Sequence, residues 1–181
     1  MWEERINLQL LWLFLFYSFL GFLLEIAFAR ITRHPKKDRK CFFLLPLCPV
    51  YGVGALMIRG LTLWNRSPLW VAAAGFLAAT AAELTMGAFY RYVLGVEFWN
   101  YRNQRWNIGG LVCLQFSLYW TVLALLMVYW ADPLLGRLAA ALPVWLGPPA
   151  AILLAVDGVV SAAALKVAGS TEVLRWYLPK A

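Results

Sequence analysis

Long apolar runs separated by short polar connections dominate the chain, and five of them approach the length of a membrane span. They cover residues 8–29, 47–63, 69–92, 111–130 and 148–168. A helix rises about 1.5 Å per residue, so about 20 apolar residues cross the roughly 30 Å hydrocarbon core of a bilayer. The pattern therefore predicts an all-α, polytopic transmembrane bundle that forms a single integral membrane domain over residues 1–181.

Two connections depart from this simple pattern. Residues 96–110 mix aromatic, amide and arginine side chains without a period, and Gly109-Gly110 supplies a turn before the fourth run. We expect an interfacial or re-entrant loop there, with its polar groups satisfied by protein or water. The segment 134–146, bounded by Pro133 and Pro143, is apolar but short, and we expect it to lie in the membrane interface.

Composition excludes a soluble domain. Of the 181 residues, 63% are hydrophobic and only 14% are charged, and the mean hydropathy is +0.69. The net charge of +7 does not indicate nucleic acid, because the basic residues flank the apolar runs. Twelve of the 16 lysines and arginines fall on one side if the spans alternate. The positive-inside rule then predicts a multi-pass protein of the cell membrane with its N-terminus outside and its C-terminus in the cytoplasm.

Acidic residues interrupt three of the runs: Glu25, Glu83 and Asp157. A carboxylate in hydrocarbon is costly, so it marks a functional site by default. Small residues recur every four positions around Glu83, from Gly75 to Gly87, and such a stripe packs against a neighbouring helix. Glu83 should therefore face protein, in the cytoplasmic half of the bundle.

Helical spacing and the predicted topology bring other polar side chains to the same level. Tyr17 shares a helix face with Glu25, and the connections contribute aromatic and amide groups. The candidate substrate- or ion-binding residues are Glu25, Glu83, Tyr17, Tyr51, Trp99, Tyr101, Asn107 and Asp157. The alternative is that the acids only tie helices together, by pairing with Arg91 or by accepting from Tyr or Trp hydrogen-bond donors.

No catalytic residue, metal site or cofactor is predicted. His34 is the only histidine, and one histidine without companions makes no metal site. The three cysteines, Cys41, Cys48 and Cys113, lack metal-like spacing and are expected to be reduced packing residues.

Three segments resemble the signatures of a known family. They are Tyr-Ser-Phe-Leu-Gly-Phe-Leu-Leu-Glu at 17–25, Cys-Pro-Val-Tyr-Gly-Val-Gly-Ala-Leu at 48–56, and Trp-Asn-Tyr at 99–101 followed by Asn-Ile-Gly-Gly at 107–110 and Cys-Leu at 113–114. The family is the ABC-transporter type IV permease group, called CmpB-like, which is similar to a eukaryotic group of small transmembrane proteins of unknown role. The resemblance covers roughly residues 8–130. The chain departs from the family pattern at Phe22, Asn100 and Leu111, where Trp, Asp and Arg are expected.

The resemblance implies a transport-associated role, but the chain has no G-x-x-x-x-G-K-[ST] pattern with which to hydrolyse ATP itself. An ABC role thus implies a separate ATPase subunit. The chain is small for a permease, and assembly into a homo-oligomer would answer that objection. The other expected partners are the lipid bilayer and anionic headgroups near the basic segment 30–40, from Arg30 to Lys40, and not nucleic acid.

Three functions stay open at this stage. The first is a permease subunit that binds a cation or cationic solute. The second is a membrane-embedded enzyme or binding protein for a lipid or prenyl substrate at the cytoplasmic leaflet, with Glu25 and Glu83 as acid/base groups. The third is a non-catalytic scaffold. Convergence of Glu25, Glu83, Tyr101 and Asn107 around a cavity would favour the first two.

Overall fold

Five helices account for most of the protein. The computed structural model describes residues 2–32 and 40–176, the first three of them by backbone alone. The helices are α1 (Trp2–Ile31), α2 (Pro49–Leu61), α3 (Pro68–Leu94), α4 (Leu114–Ala141) and α5 (Gly147–Ala168). Two short antiparallel strands, β1 (Asn107–Ile108) and β2 (Val112–Cys113), lie in the connection before α4, and 3₁₀ turns occur at Val144–Leu146 and Thr171–Arg175. The predicted all-α membrane architecture is confirmed.

Within the described part of the chain, four helices are long and apolar enough to cross a membrane, and α2 is shorter. The 13 residues of α2 span only about 20 Å. The helix starts with Pro49, which is well suited to the first helical position. Its entrance lies deep in the bundle, because the Cys48 N–H donates to the Ser18 carbonyl, midway along α1, at 2.9 Å. Non-helical chain therefore reaches the interior just before α2.

Close backbone approach sets the α1–α2 packing. A Cβ atom at Gly52 would lie 2.7 Å from the Phe14 ring and 2.8 Å from its carbonyl oxygen. A Cβ atom at Gly21 would collide with the Tyr51 ring. Each glycine thus leaves room for side chains of the other helix, so α1 and α2 pack closely. Helix α2 lies at the centre of the bundle, in contact with α1 and α3.

Helices α3 and α4 are not uniform α-helices. Each contains π-helical turns, at Gly75–Ala79 and Phe89–Leu94 in α3 and at Met127–Ala131 in α4. The turn in α4 comes directly before Asp132-Pro133, where the sequence pattern ends the fourth apolar run. Local π geometry accommodates a proline in a membrane helix, so α4 continues to Ala141 and includes the first part of segment 134–146. The interfacial position of that segment stays a prediction.

The irregular loop predicted before the fourth run is present. The Tyr101 N–H donates to the Gly110 carbonyl at 2.9 Å, which folds the connection back on itself. Gly109 and Gly110 have φ angles of +58° and +73°, a region that L side chains rarely adopt. The Trp99 indole N–H donates to the Leu111 carbonyl at 2.8 Å. This loop lies at the side of the bundle where α1 and α3 end and α4 begins, which we call the loop side.

Candidate functional site

Glu83 is buried on α3, as the small-residue stripe predicts, with 4% of its surface exposed. Its two carboxylate oxygens accept hydrogen bonds from different elements. The Tyr101 hydroxyl donates to Oε1 at 2.8 Å from the loop, and the Trp120 indole N–H donates to Oε2 at 3.3 Å from α4. Both donors are neutral. An ionised carboxylate can accept about four hydrogen bonds, so after these two it can still accept others.

A second carboxylate–phenol pair lies beside the first. The Tyr51 hydroxyl, from the first turn of α2, donates to Glu25 Oε1 on α1 at 3.0 Å. The Tyr51 ring packs on Trp120 with centroids 4.8 Å apart. Because Gly21 leaves room for this ring, the helix crossing itself delivers Tyr51 to Glu25. The two acids thus share a wall through Tyr51 and Trp120.

These groups surround a cavity of about 400 Å³, which we call the acidic chamber. The structure lines it with Leu24, Glu25, Phe28, Val50, Tyr51, Glu83, Trp99, Tyr101, Phe116, Tyr119, Trp120, Val122 and Leu123. Seven of these thirteen residues are aromatic, and none of these described lining residues is basic. The chamber combines two carboxylates with a wall of π-faces.

The aromatic wall is continuous across three elements. Phe116 contacts Tyr101 from the loop, Phe28 from α1 and Tyr119 from α4, with ring centroids 4.6, 5.9 and 5.4 Å apart. The Phe28–Phe116 contact bridges the end of α1 and the beginning of α4. It bounds the chamber on the loop side.

A second cavity of about 420 Å³ adjoins the chamber and shares four of its residues. We call it the apolar trough. Its lining comprises Tyr17, Leu20, Gly21, Leu24, Tyr51, Ala55, Ile58, Trp120, Leu123, Ala124, Leu126, Met127, Trp130 and Ala131. α1 and α4 form its sides and α2 its back. The rims are apolar and exposed, with Leu20 at 38% and Leu126 at 51%.

The structure brings together five of the eight predicted site residues. Glu25, Glu83, Tyr51, Trp99 and Tyr101 line the acidic chamber. The other three lie elsewhere.

Tyr17 and Asn107 have other contacts. Tyr17 lines the trough, and its hydroxyl donates to Asp132 Oδ1 at 3.1 Å, away from the chamber. Asn107 fixes the turn of the loop: its amide donates to the Gln104 carbonyl at 2.8 Å, and its carbonyl accepts from the Gly110 N–H at 3.0 Å. Asn107 therefore shapes the loop that delivers Tyr101 and does not itself line the chamber.

Asp157 is fully buried at the centre of α5 and holds the non-helical chain that precedes α2. Its carboxylate accepts the backbone N–H groups of Leu44 at 2.9 Å and Leu45 at 2.7 Å. Ser161, one turn further on, accepts the Phe43 N–H at 2.7 Å. These contacts tie α5 to the chain before α2 through backbone N–H groups, and not through the Arg91, Tyr or Trp partners that the tie alternative named.

The basic segment 30–40, expected to attract anionic headgroups, lies mostly outside the described residues. Lys40, at its end, is 8% exposed and donates to the Phe43 carbonyl at 2.7 Å. Burial lowers the pKa of the Lys40 ammonium, and the nearby Asp157 carboxylate opposes this shift.

One buried acid was missed by sequence reasoning. Asp132 is 4% exposed and forms ion pairs with Arg59 and with Arg66, the latter at 3.4 Å. Together with Tyr17, this cluster joins α1, α2 and α4 at the end of the trough away from the loop. The signal was Arg59 inside the second apolar run, because a guanidinium there requires a buried partner. Arg91, considered as a partner for the membrane acids, instead pairs with Glu97 at 2.7 Å.

Within residues 2–32 and 40–176, no group of three or more His, Cys, Asp or Glu side chains could hold a metal ion. Fold and cavity define a multi-pass helical membrane protein with an aromatic, acidic chamber inside its bundle.

The comparison with protein families is consistent with this class. The family model described as "Putative ABC-transporter type IV" matches residues 12–163, and the chain belongs to this family, the CmpB-like one. No curated protein and no solved structure matches the chain.

Proposed function

We propose that the protein is a transport-associated subunit that binds an organic cation in the acidic chamber. The observation that carries the proposal is the convergence of Glu25 and Glu83 on one cavity walled by aromatic rings. The chamber would lie in the cytoplasmic half of the bundle if the positive-inside orientation holds.

Both components of the wall favour a positive charge. A cation over an aromatic face gains about 0.5–2 kcal/mol, and aromatic cages are the usual recognition mode for ammonium groups. A carboxylate adds a charge-assisted hydrogen bond, which is about twice as strong as a neutral one. Because the donors to Glu83 are the neutral Tyr101 and Trp120 groups, its charge is not cancelled by them.

The volume of the acidic chamber suits a small solute or the headgroup of a larger one. A volume of about 400 Å³ lies in the range of roughly 300–1,000 Å³ that is typical of ligand pockets. The helix-tie hypothesis accounts for Asp132 and Asp157, which contact arginines and backbone N–H groups. It also names the Tyr and Trp donors that Glu25 and Glu83 have. It gives no reason for two acids to border an open cavity.

A binding measurement tests the proposal without knowledge of a partner. The protein would be reconstituted in phosphatidylcholine nanodiscs and titrated with butylammonium, tetramethylammonium and guanidinium, with tryptophan fluorescence as the readout because Trp99 and Trp120 line the chamber. We expect saturable binding that Glu83→Gln weakens at least tenfold. Glu172→Gln, the same change on an exposed turn, should bind as the wild type does.

The outcome that contradicts the proposal is equal cation binding by wild type, Glu83→Gln and Glu172→Gln. The transport part is tested separately by purification in mild detergent with mass spectrometry of the associated proteins. Recovery of an ATPase supports a permease subunit. Recovery of the chain without an ATPase, under conditions where cations bind, argues against the ABC mechanism and leaves a cation-binding membrane protein.

A further inference from the structure

The acidic chamber is not an isolated cavity. It continues into the apolar trough through four shared residues, Leu24, Tyr51, Trp120 and Leu123. A ligand bound to the carboxylates could therefore extend along the trough without a break. We infer that the natural ligand is a single-chain cationic amphiphile, with an ammonium headgroup in the chamber and a hydrocarbon tail in the trough. The inference rests on the proposed function and specifies its substrate class.

The trough has the chemistry of a tail site. The trough has two tyrosines, and both hydroxyls are hydrogen-bonded at its ends. Tyr51 donates to Glu25 at one end, and Tyr17 donates to Asp132 at the other. Between them the lining consists of aliphatic and aromatic surface. The π-helical turn Met127–Ala131 contributes three residues of the lining, Met127, Trp130 and Ala131, and so shapes the far end.

The dimensions match one leaflet. Eleven residues separate Tyr17, at the far end of the trough, from Phe28, at the loop-side end of the chamber. That is about 16 Å of helix, close to half of the roughly 30 Å hydrocarbon core. The chamber and the trough together thus run beside α1 for about the depth of one leaflet, and a ligand that occupies both would span that depth.

The trough is open at the outer surface of the bundle, which we expect to face lipid. Its rims are formed by exposed apolar residues of two membrane-spanning helices, including Leu24 at 42% and Trp130 at 76%. A tail in lipid gains little by moving onto an equally apolar protein surface, since hydrocarbon is the solvent on both sides. Specificity then comes from the headgroup, and the trough admits a tailed ligand without forcing its tail into packed protein or water.

Photolabelling in phosphatidylcholine nanodiscs tests whether the tail lies in the trough. The probe is a photoactivatable hexadecylamine with its reactive group in mid-chain. Hexadecylamine and hexadecanol would compete, and butylammonium binding would be measured in parallel. We expect labelling on trough residues of α4 such as Leu126 and Met127. Hexadecylamine should compete at least tenfold better than hexadecanol, which has the same tail and no cation.

Two tryptophan substitutions on α1 distinguish binding of the tail from binding of the headgroup. Leu20→Trp narrows the trough, whereas Leu23→Trp makes the same change at an exposed position that does not line it. Leu20→Trp should reduce labelling at least fivefold and leave butylammonium binding unchanged, and Leu23→Trp should change neither. Glu83→Gln should reduce both.

The failures are distinguishable. If labelling maps outside the trough, or if Leu20→Trp and Leu23→Trp label equally, while butylammonium still binds in a Glu83-dependent way, the tail site is wrong and the cation site stands. If neither butylammonium nor the photoactivatable amine shows any dependence on Glu83, both the proposed function and this inference are overturned.

Discussion

At the scale of single residues, three buried carboxylates differ in what donates to them. Glu83, Asp132 and Asp157 are each at most 4% exposed. Arginines pair with Asp132, backbone N–H groups donate to Asp157, and two neutral rings donate to Glu83. The contacts of the first two carboxylates are those expected of structural ties, because they supply partners to a partly buried guanidinium and to two backbone N–H groups. Of the three, Glu83 is the one that lines the acidic chamber.

The function of Asp157 as a tie predicts a stability effect. Asp157→Ala leaves the Leu44 and Leu45 N–H groups without their acceptor, at about 1–3 kcal/mol each, so the free energy of unfolding should fall by about 3 kcal/mol. Asp157→Asn, which retains one acceptor oxygen, should lose less. Thermal unfolding in detergent measures both. Loss of cation binding in a normally stable Asp157→Asn variant would instead make Asp157 part of the site.

At the scale of helices, short contacts between α1 and α2 decide where the site forms. The α2 helix begins at the depth of Ser18, and Gly21 and Gly52 permit the close crossing that brings Tyr51 to Glu25. An amphipathic pattern cannot show this, because the buried and lipid-facing sides of a membrane helix are both apolar. The sequence shows where the glycines are, but it does not show which helix packs against each of them.

A pair of glycine substitutions within α2 tests the crossing. Gly52→Ala would push a Cβ atom against Phe14, and overpacking of this kind costs about 1–3 kcal/mol. Gly60→Ala lies in the same helix with nothing within 4 Å, so it should be neutral or stabilise by up to about 1 kcal/mol. Thermal unfolding of the two variants under identical detergent conditions compares them. Equal melting temperatures would rule out a tight crossing at Gly52.

At the scale of the whole molecule, charge distribution gives an orientation that the fold alone does not. The connection between α2 and α3 and the loop before α4 lie at opposite sides of the bundle, since α3 is long and apolar enough to cross the membrane between them. The excess of lysine and arginine falls on the loop side, which predicts a cytoplasmic acidic chamber.

Cysteine labelling in cells tests this orientation. The three native cysteines are buried and should give little background. A membrane-impermeant maleimide should label Asn65→Cys, in the connection between α2 and α3, in intact cells. Gln104→Cys, in the loop before α4, should react only after permeabilisation. The reverse pattern would place the chamber at the outer side.

The sequence by itself determined the membrane class, the approximate position of the apolar runs, the irregular loop and the burial of Glu83. These follow from composition and from spacing along the chain. A helix that crosses hydrocarbon must be long and apolar, and a stripe of small residues lets another helix pack against it. It also placed Glu25, Tyr51 and Tyr101 among the candidates, through the order of spans and connections.

Only the tertiary structure decided which acids share a cavity. Asp132 pairs with Arg59 on another helix, and Asp157 accepts backbone N–H groups more than a hundred residues away in the chain. The continuity of the chamber with the trough depends on Tyr51 and Trp120 meeting across two helices. Such pairings depend on close packing and helix register in three dimensions, and no local pattern in a single chain encodes them.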